Sequence, residues 1–471
     1  MTDAIVVGSG PNGLSAAVTL ARAGIRVTVL EAADSVGGGT RSGYLTLPGL
    51  LHDVCSAFHP TAVASPFLRT LSLREHGLEW LWPPVDLAHP LDDGPAAVLT
   101  RSMDETVARL GPDGAAWRRL FGPLASGFDD LAADLLGPVL HVPRHPLRLG
   151  GFGLRALLPA TALAGRWRTA AARALFAGVA AHAVRPLRGP LSASIGLVLT
   201  AAGHAHGWPV ARGGSQSIAT ALASLLRAHG GTIQTGVAVH TYAELSSADI
   251  VMLDVAPGAA AGILGDRLPR RVARAYRRYR YGPGAFKLDL AVEGGIPWSD
   301  ETCRRAGTVH LGGTIEEIVR AEDEVAAGRM PARPFVLVGQ QYLADPSRSA
   351  GDLHPVWAYA HVPAGYTGDA TEAILSQLER FAPGVRGRIR ARVARSTGEL
   401  AAYNANYVGG DIATGANDPR QLLLRPRIAF DPYRTGVPGV YLCSAATPPG
   451  AGVHGMCGFH AATSALAALR R

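Results

Sequence analysis

Lysine is almost missing from this 471-residue chain. Lys287 is the single lysine among 45 Lys and Arg residues, and the rest are arginine. With 37 Asp and Glu the formal net charge is +8, but heavy Arg, Ala, Gly and Pro usage explains that balance as composition, and no nucleic-acid partner is expected. Cysteine is scarce as well. Cys55, Cys303, Cys443 and Cys457 form no C-x-x-C pair, which excludes a dithiol centre of that spacing and a four-cysteine zinc site, and fits a reducing compartment. No stretch reaches the roughly 18 uncharged apolar residues of a spanning helix. The nearest, residues 174–202, is broken by His182, Arg185, Pro186, Arg188 and Pro190. No basic n-region or cleavable apolar segment precedes the first apolar run. A cytoplasmic protein is expected, and the mildly basic surface is compatible with peripheral contact at an anionic membrane.

Apolar residues are not lacking. At 48% hydrophobic and 17% charged, the chain is no disordered polymer. Its 57 Gly and 33 Pro follow no G-X-Y period, so collagen is excluded. At roughly 150 residues per domain, two or three domains are expected. Their core needs no disulfide or metal.

Apolar periodicity gives a strand over 4–7, a glycine turn, a helix over 14–23 and a strand over 26–30 closed by Glu31. Residues 100–204 lean helical, with helices predicted over 117–136 and 155–183. A helix over 213–230 precedes strands over 232–240 and 250–253. Further strands are predicted over 287–292, 335–338 and 356–361, a helix over 371–381, and a strand over 387–395 with one wet face. The chain closes with a strand over 440–443, a glycine loop and a helix over 458–469.

Gly8-x-Gly10-x-x-Gly13 lies between that first strand and helix, with an acid ending the next strand. In this context the first glycine permits the tight turn, the second lets a pyrophosphate approach the backbone, and the third lets helix pack on strand. The helix N-terminus offers free N–H groups to the phosphates. Glu31 can accept both ribose hydroxyls and repels a 2′-phosphate, so NADP is not expected here. A second glycine cluster, residues 36–41, includes Gly38 and ends in Arg41. It suits a loop along the far half of a longer cofactor, which selects FAD over NAD, with Arg41 at the pyrophosphate or near the flavin. Gly450-x-Gly452-x-x-Gly455 opens the last helix. It has no acid after it, so it is not a second dinucleotide fold, but its helix N-terminus suits the negative edge of a reduced flavin. Electrons are expected to arrive from a substrate and leave to oxygen or another acceptor.

The opening βαβ unit, the 36–41 segment and the 441–458 segment resemble the phytoene-desaturase-like FAD-dependent oxidoreductases of the amine-oxidase superfamily. Residues 230–239, 282–289 and 404–411 extend the likeness over nearly the whole chain. The resemblance implies an α/β fold: a discontinuous Rossmann-type FAD-binding domain (1–70, 205–280 and 425–471) interleaved with an α+β substrate domain (71–204 and 281–424) of mixed sheet and helical lid. It implies that Val239 holds the adenine through its backbone and that Gly455 and Met456 contact the flavin. Lys287 looks like the lysine that relatives bond through water to flavin N5, and a compact ammonium on an apolar strand suits that role.

The departures carry information too. Gly455 stands where amine oxidases place a cage aromatic, so an amine-specific cage is not expected. No cysteine lies between Ala401 and Tyr441, so FAD is expected to be non-covalent. Ser444-Ala445 replaces the usual Gly-Asp before the last loop, which leaves the ribityl partner open, with Ser444 as a candidate cofactor contact. Asp411 with Tyr407 or Tyr403 is the candidate acid/base pair. His59, His89 and His182 read as core or gate residues, and no metal is expected at His454-x-x-Cys457-x-x-His460. The implied function is a dehydrogenase or desaturase moving hydride from a largely apolar, lipophilic small molecule to flavin N5. A flavin-dependent polyene cyclase or isomerase, and a flavin-stabilised non-catalytic interaction protein, are the alternatives.

Overall fold

The computed structural model describes residues 2–470. Five parallel strands form one sheet in the order Val440–Leu442, Ile250–Leu253, Asp3–Val7, Arg26–Glu31, Thr232–Thr235. The chain leaves this sheet after its second strand, returns near residue 232, leaves again after residue 253 and comes back at residue 440. The helix Pro11–Arg22 packs on it through Leu14, Ala17, Val18 and Leu20, all without solvent exposure, and the C-terminal helix Met456–Leu469 lies against that helix.

A second, seven-stranded sheet is mixed. Its order is Ile389–Arg395, Gly284–Glu293, Leu353–Val362, Val336–Gly339, Ala306–Leu311, Val85–His89, Ala97–Leu99. Only Ala306–Leu311 and Val85–His89 run parallel. The Gly284–Glu293 strand is paired on both sides and buried at every position but Glu293. The edge strand Ile389–Arg395 alternates half-buried Ile389, Ala391 and Val393 with exposed Arg390 and Arg392. Charge on an edge discourages pairing with another chain.

Several elements are shorter than the periodicity predicts. The strand expected over 232–240 stops at Thr235, because Gly236 turns the backbone at φ +72. The 117–136 helix is two, Gly114–Ser126 and Phe128–Leu135, parted at Gly127. The 155–183 helix is the end of Pro146–Ala156 followed by Ala160–Ala164 and Ala170–Ala181. Pro159 starts the second, and Thr169 caps the third by accepting from the Ala172 N–H at 3.2 Å. Apolar spacing continued across these breaks because all the pieces face one core, where Trp117, Phe121, Trp167 and Phe176 meet. Among the described residues, no helix is long and apolar enough to cross a membrane.

A buried charge cluster joins the segments between the sheets. Arg348, fully buried, donates to Asp53 at 2.5 Å, Asp345 at 3.1 Å and the Ala211 carbonyl at 2.7 Å. Burial pushes the Asp53 carboxyl up in pKa, but Arg348, the Ser215 N–H and Ser42 outweigh it and hold it below the usual carboxylate range. Arg348→Met should leave two buried carboxylates without their cation and cost about 3–5 kcal/mol in urea unfolding. A loss below about 1 kcal/mol would contradict the role given to this cluster.

Candidate functional site

The glycine turn is built against one carboxyl group. Asp254 follows the Ile250–Leu253 strand, and its Oδ2 accepts from the Gly13 N–H at 2.9 Å. Gly8 sits at φ +98, and a methyl group there would stand 3.0 Å from the Asp254 carbonyl oxygen. One on Gly10 would meet Asp254 Oδ2 at 2.9 Å, and one on Gly13 would meet the Gly8 carbonyl oxygen at 2.2 Å. All three fingerprint glycines are thus required by packing. Burial, with the Glu31 charge adding to it, pushes Asp254 up to about 7 against the Gly13 N–H, which lowers it.

Glu31 ends the second strand and is buried. It accepts from the Ser9 N–H at 2.8 Å and the Ala33 N–H at 2.9 Å. Arg41 reaches the same carboxylate at 3.1 Å and the Ser35 carbonyl at 2.8 Å, and its guanidinium lies 5.6 Å from the centre of the Tyr403 ring. Arg41 is therefore held at the Glu31 end of the site. The Tyr403 hydroxyl donates to the Gly38 carbonyl at 2.8 Å.

These groups line a cavity of about 870 Å³, a size in the range of small-molecule and cofactor sites, roughly 300–1,000 Å³. Gly8, Gly10, Glu31, Gly38, Arg41, Val239, Ser444, Gly452 and Tyr407 are all on its wall. A dinucleotide fits this donor set. Ser444 Oγ and Asn12 Oδ1 are buried, lack a hydrogen-bond partner and belong to residues on the wall. The glycine turn offers backbone where a side chain would block approach.

The other candidates lie behind the wall. Gly13 is packed beneath the turn. Gly455, at φ +68, and Met456 start the last helix, where a methyl on Gly455 would meet Ser15 Oγ at 2.2 Å. Asp411 is buried, and its carboxylate accepts from the N–H groups of Gly282, Ala413 and Gly415. Lys287 is 3% exposed, and its ammonium donates to Asp289 at 2.5 Å and to the Asp53 carbonyl at 2.9 Å. His52 and Arg395 approach the same Asp289 carboxylate at 3.5 and 3.9 Å. His454 Nδ1 accepts from the Met456 N–H, the Cys457 thiol donates to the Thr447 and Gly450 carbonyls, and His460 bonds the Leu136 carbonyl.

Away from the glycine turn the same cavity is bounded by Phe58, His59, Trp208, Leu337, Trp357 and Tyr359. Burial holds His59 near 4, so its imidazole is neutral at pH 7. His182 and Leu199 bring the helical region to this end. Sequence reasoning passed over Asp254, although an acid closing a buried apolar strand was the available signal. It also passed over Trp357 and Tyr359, which alternation on a strand places on one face.

A family model described as an NAD(P)-binding Rossmann-like domain matches residues 6–71. Along its length the chain is similar to pyridine nucleotide-disulfide oxidoreductase domain-containing protein 2 of Rattus norvegicus, with 24% identity covering 98% of this chain and 92% of that protein. A short stretch is similar to hydroxyneurosporene desaturase of Rhodobacter capsulatus, at 54% over 41 residues, 9% of this chain and 8% of that one. Among solved structures, putrescine oxidase bound to putrescine superposes with a TM-score of 0.63 at 19% identity, covering 100% of this chain and 99% of that one. That likeness shows a shared fold.

Asp254 makes the site sensitive to pH. Its pKa is raised from 3.8 to about 7 on folding, so the folded state holds the proton longer than the unfolded chain. Stability therefore falls as pH rises through this window and is level above it. Ionisation also sets a negative charge beside the glycine turn. FAD affinity should drop above pH 7, by up to about tenfold per pH unit where only the neutral form binds. Asp254→Asn should flatten that dependence in equilibrium dialysis, and an unchanged slope would contradict this reading.

Proposed function

We propose that this chain, which shares its fold with putrescine oxidase, binds FAD non-covalently as a member of the amine-oxidase superfamily and is an FAD-dependent oxidoreductase acting on a largely apolar small molecule. The observation that supports it most is a single cavity with a dinucleotide donor set at one end and aromatic side chains at the other. The first helix and the glycine turn bind the diphosphate through backbone N–H groups. Glu31, held by Ser9 and Ala33, accepts the ribose hydroxyls, and Ser444 Oγ turns to the ribityl chain. Bound FAD supplies the two-electron acceptor for the substrate. Phe58, Trp208, Leu337 and Trp357 exclude water and orient an apolar substrate. Tyr407, on the wall beside Cys55, is our candidate for a proton-handling group. Lys287 is assigned a positioning role, because its ammonium acts through Asp289 and the Asp53 carbonyl.

The test is anaerobic mixing of the FAD-loaded protein with apolar alcohols, amines and polyenes. Loss of the oxidised flavin's visible band on mixing is the expected result, and Trp357→Arg should slow it at least tenfold. Turnover of a polyene with no bleaching would favour cyclisation or isomerisation. No reaction with any compound class would favour a flavin-stabilised interaction protein.

A peripheral membrane contact is part of the proposal. Val142, Leu147, Leu154 and Leu157 are exposed at 56–91%, on and beside the helix Pro146–Ala156, with exposed Arg144 and Arg148 among them. Apolar residues interleaved with arginine suit an anionic lipid surface. The protein should co-sediment with vesicles containing phosphatidylserine, less so in high salt, and Leu147→Gln with Leu154→Gln should abolish binding. Equal sedimentation of the double variant would contradict the assignment.

A further inference from the structure

Three histidines from three separate elements form a chain that ends at the cavity. His89 closes the Val85–His89 strand, His310 lies on the Ala306–Leu311 strand, and His182 follows the helix Ala170–Ala181. His89 Nε2 lies 2.8 Å from the Gly313 carbonyl oxygen. A carbonyl only accepts, so His89 carries its proton on Nε2 and leaves Nδ1 bare. His89 Nδ1 and His310 Nδ1 are both buried without a partner, and both face the space beside Gly178. A methyl group on Gly178 would stand 2.9 Å from each. A proton on His310 Nδ1 would remove the repulsion of two lone pairs across that space and leave Nε2 bare. His310 Nε2 lies 3.0 Å from His182 Nε2. With His310 as acceptor, His182 is the donor, and the proton of His182 is on Nε2.

Its remaining nitrogen, Nδ1, then holds a lone pair. His182 is the one member of the three on the cavity wall. Thr308, two residues before His310 on the same strand, is also on that wall, and its buried Oγ1 lacks a partner. We propose that His182, locked in the Nε2–H tautomer by His310, His89 and the Gly313 carbonyl, presents Nδ1 as an acceptor that selects substrates bearing a hydroxyl or N–H group. Thr308 Oγ1 supplies the matching donor to the same heteroatom. Burial holds His182 near 3 and His89 near 4, with His310 also well below its usual value, so all three are neutral at pH 7 and the tautomer argument applies. His182 is then an acceptor of a hydrogen bond rather than a charged base. The inference rests on the aromatic end of the cavity being the substrate's place, and it narrows an apolar substrate to an apolar alcohol or amine.

Two experiments on the FAD-loaded full chain test it. Histidine labelled with ¹⁵N reports each ring's tautomer directly, and the His182 signals are assigned by their loss in His182→Asn. A protonated Nε2 and a bare Nδ1 are expected. Gly178→Ala keeps a helical backbone but wedges between the rings, and a mixture of His182 tautomers is expected there. A protonated Nδ1 in the native chain, or an unchanged tautomer in folded Gly178→Ala, would overturn the lock. For the substrate class, cyclohexylmethanol and its methyl ether are compared by quenching of tryptophan fluorescence. The alcohol should bind about 3- to 10-fold tighter, the worth of one neutral hydrogen bond, and His182→Phe should erase the difference. Equal binding of the pair by the native chain would overturn the selection. A protein that holds no flavin would instead fail the reading on which this inference rests.

Discussion

Three glycines and one carboxyl group share a space that admits no additional methyl group, and the arrangement of the site depends on that contact. Asp254 lies where the Ile250–Leu253 strand ends beside the Asp3–Val7 strand. The turn after Val7 must pass close over it, and Gly8, Gly10 and Gly13 alone let it do so. The approach sets the start of the first helix, which brings Pro11 and Asn12 to the cavity wall while Asp254 takes the Gly13 N–H. It also brings Gly38 within van der Waals reach of Gly10, since a methyl on Gly38 would stand 3.0 Å from the Gly10 Cα. The second glycine cluster is thereby seated on the first. Burying Asp254 raises its pKa, so the contact joins packing to electrostatics at one atom.

Charge elsewhere is handled by pairing. Arg348 with Asp53 and Asp345, Lys287 with Asp289, and His361 with Glu322 at 2.7 Å are all buried. In a medium of low dielectric each partner is costly alone. The Arg348 group ties residues 211–215 and 345–348 to the two-stranded hairpin of Ser42–Tyr44 and Leu51–Asp53. Cys55, two residues beyond Asp53, is on the cavity wall. Lys287 bonds the Asp53 carbonyl from the seven-stranded sheet. Charged hydrogen bonds therefore join the seven-stranded sheet to this hairpin, whose chain runs on to the cavity wall at Cys55.

The parts of this site that could be read from sequence are those made by neighbours in the chain. Gly8, Gly10, Gly13 and Glu31 lie within one βαβ unit, where spacing is geometry. The Thr371–Phe381 helix and the wet-faced edge strand follow from periodicity in the same way. Asp254 meets Gly13 across 241 positions, and no spacing rule reaches that far. Arg41 is on the cavity wall and also pairs with Glu31, because the intervening loop folds back on that carboxylate, a contact that the glycine spacing does not encode. The helices that broke at Gly127 and Pro159 kept an apolar rhythm imposed by a common core, so the rhythm hid the breaks. The His89, His310 and His182 chain was invisible because each ring arrives from a different element and the Gly313 carbonyl that orders them bears no side chain.

The central claim is that the cavity holds FAD without a covalent bond. The purified protein should show a flavin absorption spectrum, and acid precipitation should leave the chromophore in the supernatant, identifiable as FAD. Colour retained in the pellet would contradict non-covalent attachment. Protein that stays colourless after incubation with FAD would contradict the account as a whole.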